Sequence, residues 1–325
     1  MSAAVPAGDG DRAPPQEPAP LAVAIATRNR RERLLETLGR LRALPERPPL
    51  LVVDNASADG TVEAVRARCP DVAVIALAQN RGAAARNVAV EALATPYVAF
   101  ADDDSWWEPG SLTRAARTLA QQPRIGLLAA RVLVGPQRRL DPTCAAMARS
   151  PLTDAGGAAV PGVPVLGFVA CGAVVRRTAF LAVGGFDAHY GIGGEERLLA
   201  GDLAAAGWLV RYDAQLVVRH WPPPAPPGRR AHRRADIVRN DLWSAWLRRP
   251  ASSVPVATLH ALAAGGAGWQ TLRGAAAAVR GLPWVLRERR PHPRELEAAV
   301  RRLERAHTRP PTRTHAVSTR TRQRM

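Results

Sequence analysis

The chain has 325 residues, 47% of them hydrophobic, enough for a full buried core and too many for a wholly disordered protein. Its formal net charge of +17 would point to nucleic acid if it were spread evenly, but residues 229–325 hold 21 Arg against 6 acidic residues and residues 1–228 are nearly neutral. Every one of the 45 cations is Arg, and the three cysteines, Cys69, Cys144 and Cys171, fit neither a disulfide framework nor a zinc spacing, which favours a reducing cytoplasm.

In chain order, residues 1–20 read as a disordered leader, rich in Pro, Ala and acidic residues and without the features of a secretory signal. Leu21 to Ala26 is an apolar, partly β-branched run that predicts a strand; it stops at Thr27-Arg28-Asn29-Arg30, and Leu34, Leu38 and Leu41 then give Arg33 to Leu44 helical spacing. Leu50 to Val53 predicts a second strand ending in Asp54-Asn55, with a turn at Asp59-Gly60 and a helix over Thr61 to Arg68. Val72 to Leu77 predicts a third, followed by a loop at Gln79 to Gly82 and an Ala-rich helix to Leu93. Tyr97 to Ala101 is a fourth, running into Asp102, Asp103 and Asp104, after which Trp106, Trp107 and Pro109 predict the start of a helix.

A second block predicts a strand over Val165 to Val175, a Gly184-Gly185-Phe186-Asp187 turn, a glycine-flanked Glu195-Glu196 pair, a helix ending at Gly207, and a strand over Leu209 to Val218 that reaches His220. Five prolines between Trp221 and Gly228 forbid regular structure and mark a domain boundary. Ala231 to Arg249 predicts an amphipathic helix through Val238, Leu242 and Trp246. Ala251 to Leu272 has no charged residue and is long enough to span a bilayer, but Pro255, His260, Gln270 and several glycines make a buried or interfacial helical segment the expectation. The domain reading is thus a leader at 1–20, an α/β catalytic domain at 21–222, a basic helical region at 229–308 and a disordered basic tail at 309–325.

Strands alternating with helices predict a mostly parallel central sheet with helices on both faces, and ligands gather at the carboxyl ends of such strands. Thr27, Asp54, Asn80 and Asp102 all fall there, so four separate segments should meet in one cleft. Three consecutive carboxylates repel one another, and a divalent cation relieves that repulsion. Strand alternation would aim Asp102 and Asp104 the same way, as hard ligands for Mg²⁺ or Mn²⁺; a solvated acidic loop is the competing reading. Asp59 could serve a nucleotide or only a turn, and Arg86 could pair with a phosphate or with the acidic run.

Taken together, Thr27-Arg28-Asn29-Arg30, the string VVDNASADGT from Val52, Asn80-Arg81-Gly82 with Ala85-Arg86-Asn87, and FADDDSWWEPG from Phe100 resemble the ordered motifs of family 2 glycosyltransferases with the GT-A fold. The resemblance runs from about Leu21 to His220 and implies a cytoplasmic, inverting sugar transferase that uses a nucleoside diphosphate sugar, UDP- or dTDP-linked, and a hydroxyl acceptor. It implies a nucleotide-sugar site drawn from Thr27, Arg28, Asn29, Arg30, Asp54, Asn55, Asp59, Asn80, Gly82, Arg86, Asp102 and Asp103, with Asp54 at the base. Asp102 and Asp104 form the implied Asp-x-Asp metal element, and His220 occupies the place of a metal-binding histidine. Glu196 stands where the family's acceptor-side base stands, with Glu195 as the alternate; the family more often has Asp in the second place. Trp107 and Trp208 are candidates for an acceptor groove, with core packing the equally weighted alternative. The basic C-terminal region suggests work at the inner face of an anionic membrane on a lipid-linked or anionic glycan acceptor. A sugar-phosphate nucleotidyltransferase is the alternative, and an Arg-rich protein specific for nucleic acid ranks last because two thirds of the chain is near neutral.

Overall fold

The computed structural model describes residues 20–154, 160–223 and 229–308. The leader at residues 1–19, the tail at 309–325 and most of the proline stretch lie outside the described residues. Strands β1 (Leu21–Thr27) and β2 (Leu50–Asp54) are almost continuously apolar because both faces of the sheet are covered, one of them by α1 (Arg31–Arg42), which buries Leu34, Leu38 and Leu41. Helix α2 (Thr61–Arg68) leads to the edge strand β3 (Ala73–Ala76), and a single 3-10 turn at Gly82–Ala84 runs into α3 (Ala85–Ala92). Strand β4 (Tyr97–Asp102) closes this half.

Two elements differ from the expectation. Residues 105–107 form a short strand, β5 (Ser105–Trp107), and the helix α4 (Ser111–Gln121) begins only after Pro109-Gly110. The cause is non-local, since β5 pairs with residues 218–220, far along the chain. Past β6 (Ile125–Val134), β7 (Arg139–Leu140), α5 (Pro142–Ala148) and β8 (Val163–Pro164), the expected strand over Val165 to Val175 shrinks to β9 (Ala173–Arg176). Val165 and Phe168 are buried from irregular chain, so that apolar run reports burial and not extension. Helix α6 (Arg177–Ala182), α7 (Glu195–Ala205) and the long β10 (Leu209–His220) follow.

The sheet has the order β3-β2-β1-β4-β9-β6-β10-β5. Neighbours from β3 to β4 are parallel, β9 is antiparallel to both β4 and β6, and β10 is parallel to β6. Two reversals restore the direction, so β10 ends at the same edge as β1, β2 and β4. This brings His220 level with Ser105 and beside the acidic run.

The C-terminal region is α8 (Arg229–Arg248), α9 (Val254–Gly265), α10 (Trp269–Arg280), α11 (Leu282–Glu288) and α12 (Arg294–Thr308). Tyr190 and Leu198 of the catalytic domain join Val238, Leu242, Trp243 and Leu247 in a second apolar core. Part of the basic charge is internal: Arg248 forks onto Asp202 at 2.5 and 3.0 Å, and Arg249 grips Glu297 at 2.8 and 2.9 Å and also reaches Glu304. The turn at 266–268 splits the uncharged stretch into α9 and α10, and no helix among the described residues is long and apolar enough to cross a membrane.

Candidate active site

The three carboxylates do not alternate as a strand would place them, because β4 ends at Asp102 and a turn follows. Each therefore meets a different partner. Asp102 pairs with the guanidinium of Arg86. Asp103 accepts a hydrogen bond from the Thr27 hydroxyl at 2.9 Å and lies 3.7 Å from Arg30. Asp104 lies 3.3 Å from Arg30 and 3.2 Å from Nε2 of His220. Burial, reinforced by the neighbouring Asp104 charge and opposed by Arg30, pushes the Asp103 carboxyl up to about 7. For Asp104 burial acts in the same direction but the hydrogen bond and charge of His220 prevail and lower it; His220 is correspondingly raised in spite of its burial.

Asp102, Cys171 and His220 offer donor atoms within 4.8 Å of one another, with Asp104 bonded to the same imidazole. Two hard carboxylates and an imidazole suit Mg²⁺ or Mn²⁺. Burial drives the Cys171 thiol well above its ordinary pKa, and the thiol lines the cluster beside Asp102. Nothing in the sequence marked Cys171, a lone cysteine in an apolar run that only the fold brings beside Asp102.

The other strand ends close around this cluster. Asp54 is 2% exposed; its Oδ2 accepts from the Ser57 amide at 2.9 Å, and its buried Oδ1 has no partner. An orphaned buried carboxylate oxygen carries an unmet desolvation cost, which a donor group on a ligand would meet. Asn55 and Asp59, expected at the nucleotide, bind backbone groups of neighbouring loops. The Asn55 side chain ties the amide of Arg81 and the carbonyl of Gly82, at 2.7 and 3.0 Å, and Asp59 accepts from the amides of Arg31 and Thr61 at 3.1 and 3.2 Å. Asn29 likewise accepts from the Ala58 amide at 2.8 Å. These residues lash the loops to one another and so shape the cleft. Arg28 is exposed at its rim, and the exposed Asn80 holds its own loop by accepting from the Gly82 amide at 3.0 Å.

Gly82 fits because a Cβ there would come within 2.8 Å of the Gly191 backbone, whose carbonyl accepts from the Ala83 amide at 2.9 Å. That contact joins the cleft to the loop at 191–194, which delivers Glu195 and Glu196 to the N-terminus of α7. The buried Arg86 feels the charges of Asp102, Glu195 and Glu196, so it stands between the acidic run and the acidic pair. Glu195 is 3% exposed and caps the Gly193 amide. Glu196 is half-buried and has no hydrogen-bond or ion-pair partner among the described residues, which leaves its carboxylate open to a ligand.

Burial, together with the Glu196 charge, raises the Glu195 carboxyl to about 7. A carboxyl that holds its proton longer when folded supports the fold fully below the ordinary carboxylate range, and that support is lost as pH rises to about 7. Glu195→Gln is therefore expected to stabilise the protein at pH 8 by roughly 2 kcal/mol, with little gain at pH 4. Thermal denaturation at the two pH values checks this, and an equal change at both would refute it.

Of the two tryptophans weighed for an acceptor groove or for core packing, neither lies beside Asp104. Trp107 is fully buried, its indole N–H donating to the Phe100 carbonyl at 3.0 Å, and is a core residue. Trp208 precedes β10 at the end opposite His220, against Gly126, about 35 Å of strand from the cluster. The aromatic side chains beside the acidic run are Trp106 and Trp221, whose rings meet edge to face at 5.5 Å under the Arg40 guanidinium; the Trp221 amide donates to the Asp104 carbonyl.

The strand ends of this α/β sheet assemble an acidic cluster, an orphaned carboxylate and, beside them, a second acidic pair, and residues 22–184 match the model of Glycosyl transferase family 2. The chain belongs to that family, which sets aside the nucleotidyltransferase alternative. It is 29% identical over 251 residues to the N-acetylglucosaminyl-diphospho-decaprenol L-rhamnosyltransferase of Mycobacterium tuberculosis, with 66% of this chain and 81% of the relative covered. Its fold is similar to that of mannosyltransferase PcManGT from Pyrobaculum calidifontis, solved with GDP-Man and Mn²⁺, at a TM-score of 0.54 and 19% identity over 89% of this chain and 88% of the other. Residues 1–349 of S. aureus TarS, solved with UDP-GlcNAc, match at a TM-score of 0.51 and 15% identity, covering 88% and 91%. The expected GT-A architecture with a C-terminal helical region is the one observed.

Proposed function

We propose that the chain is an inverting, divalent-metal-dependent glycosyltransferase that moves a sugar, a hexose or deoxyhexose, from a nucleoside diphosphate sugar to a hydroxyl of a lipid-linked saccharide in cell-envelope glycan synthesis. The observation that carries this reading is the placement of the Glu195-Glu196 pair across Arg86 from the Asp102, Asp104 and His220 cluster. The name of the mycobacterial relative supports the acceptor class and a deoxyhexosyl donor. Asp54 receives the base on its free Oδ1, Thr27 and Arg30 steady the acidic turn, and Asp102, Asp104 and His220 hold the ion. Such an ion, when bound, supplies charge stabilisation for a departing diphosphate. Glu196 takes the acceptor proton, and Glu195, by capping Gly193, fixes the angle at which Glu196 faces the acceptor. A panel of UDP-, dTDP- and GDP-linked sugars assayed for Mn²⁺- or Mg²⁺-dependent hydrolysis tests the donor class; turnover of none of them would overturn it.

The helical region supports work at the inner face of an anionic membrane. Val256, Leu259, Trp269, Leu272, Val279 and Leu286 are all more than half exposed, and exposed Arg273 and Arg280 stand among them. Exposed Trp and Leu interleaved with Arg match an anionic lipid surface. Flotation with phosphatidylglycerol vesicles is expected to carry the protein at low salt, and Trp269→Ala with Leu272→Ala to reduce bound protein about tenfold. Binding unchanged in that double variant would refute the assignment of this face.

A further inference from the structure

A cavity of about 270 Å³ lies between α8 and the end of α9, lined by Arg233, Arg234, Ile237, Val238, Asp241 and Ala264, with Gly265 at its end. It is outside the nucleotide cleft, and no motif pointed to it. Its wall is nonetheless one residue away from the acidic pair. A Cβ on Gly193 would lie 3.1 Å from Ile237, and one on Gly194 would lie 3.4 Å from Asn240 and 3.7 Å from Asp241. Asn240, the buried neighbour of Asp241, donates to the carbonyls of Gly193 and Tyr190 at 2.5 and 3.0 Å. The loop that presents Glu195 and Glu196 thus has the nucleotide cleft on one side, through Gly82, and this cavity on the other.

The charges in the cavity are unequal. Asp241 is already paired with Arg197. Arg233 and Arg234 are exposed at the mouth and make no ion pair with any described residue. The remainder of the lining is apolar, and the exposed Trp269 begins α10 just past the turn that closes the cavity. Two guanidinium groups with no ion pair among the described residues, over a lining that is apolar apart from the paired Asp241, suit a molecule with a phosphate at one end and a hydrocarbon chain at the other.

We infer that this cavity is the acceptor-phosphate site: Arg233 and Arg234 hold the phosphate or diphosphate of an amphiphilic acceptor whose chain leaves over Ile237 and Trp269 and whose hydroxyl end reaches Glu196 past Gly193. The inference rests on the transferase reading and extends it by giving the acceptor's charged link a place. Arg233 and Arg234 act as binding residues and take no part in proton transfer.

The test uses the full chain in EDTA, so that the nucleotide cleft holds no ion to attract a diphosphate, with farnesyl diphosphate as the titrated probe. Wild type is expected to bind it, with farnesol and inorganic pyrophosphate each at least roughly tenfold weaker, and Arg233→Ala with Arg234→Ala is expected to weaken the probe roughly 30-fold. Ala264→Trp, which fills the cavity and leaves its charge intact, is expected to weaken the probe as well. Both variants should keep the wild-type rate of metal-dependent nucleotide-sugar hydrolysis. Undiminished probe binding in either variant, or farnesol or pyrophosphate binding as tightly as the probe, overturns the site while intact hydrolysis leaves the transferase reading in place. Absence of hydrolysis in wild type instead overturns the transferase reading.

Discussion

Asp104→Ala is expected to lower sugar transfer by about 1000-fold, and EDTA to do the same to the wild-type enzyme, with Mn²⁺ or Mg²⁺ restoring only the latter. Asp104 is nearly buried and shares His220 with the cluster that includes Asp102, so its loss removes a hard donor and frees Arg30 and His220 together. Its neighbour makes the comparison sharper. Asp103 accepts from the Thr27 hydroxyl and lies outside the Asp102, Cys171 and His220 cluster, so Asp103→Asn should cost transfer only about tenfold. Steady-state rates over a metal titration check both, and full activity of the Asp104 variant in metal-free buffer would end the metal assignment.

Glu196→Gln is expected to reduce transfer by roughly 1000-fold while leaving the donor's dissociation constant within about twofold of wild type. The amide keeps the size of the side chain and removes its ability to accept a proton. Glu195→Gln should cost roughly tenfold or less, because its carboxylate is spent on the Gly193 amide and its buried charge is already disfavoured at neutral pH. Single-turnover transfer with saturating donor separates the two. The reverse pattern, a silent Glu196 change and a dead Glu195 variant, would move the base by one residue.

These two predictions differ in how far the sequence alone could carry them. The acidic run was legible as a candidate site because three adjacent carboxylates at a strand end are costly without a cation, and the family motifs around it agreed. Its internal geometry was not legible. Alternation assumed that the strand continued, whereas it ends at Asp102 and the turn sends Asp102, Asp103 and Asp104 to Arg86, Thr27 and His220. Asn55 and Asp59 look like ligand contacts in a motif, yet their hydrogen bonds run to backbone groups 26 and 28 residues away, which no local pattern encodes. For Trp107 and Trp208 the sequence left groove and core open for a similar reason. An aromatic residue has the same letter in a core as in a groove, and only the pairing of β5 with β10 shows that Trp106 and Trp221 are the ones beside Asp104.

By itself the sequence determined the alternation of strands and helices, the strand ends where polar residues collect, the glycine-flanked acidic pair and the contrast in charge between a near-neutral part and a basic one. These are properties of local hydrophobic period and of residue type, and both are written in short stretches of chain. The tertiary structure decided what depends on contacts between distant segments: the two strand reversals that return His220 to the acidic edge, the burial of Cys171 beside Asp102, and the packing of α8 against the loop at 191–194 that places a cavity lined by Arg233 and Arg234 beside the glycines preceding the acidic pair. Burial, pairing and the electrostatic state of a side chain are set by all the elements that surround it, and those elements are assembled only when the chain folds.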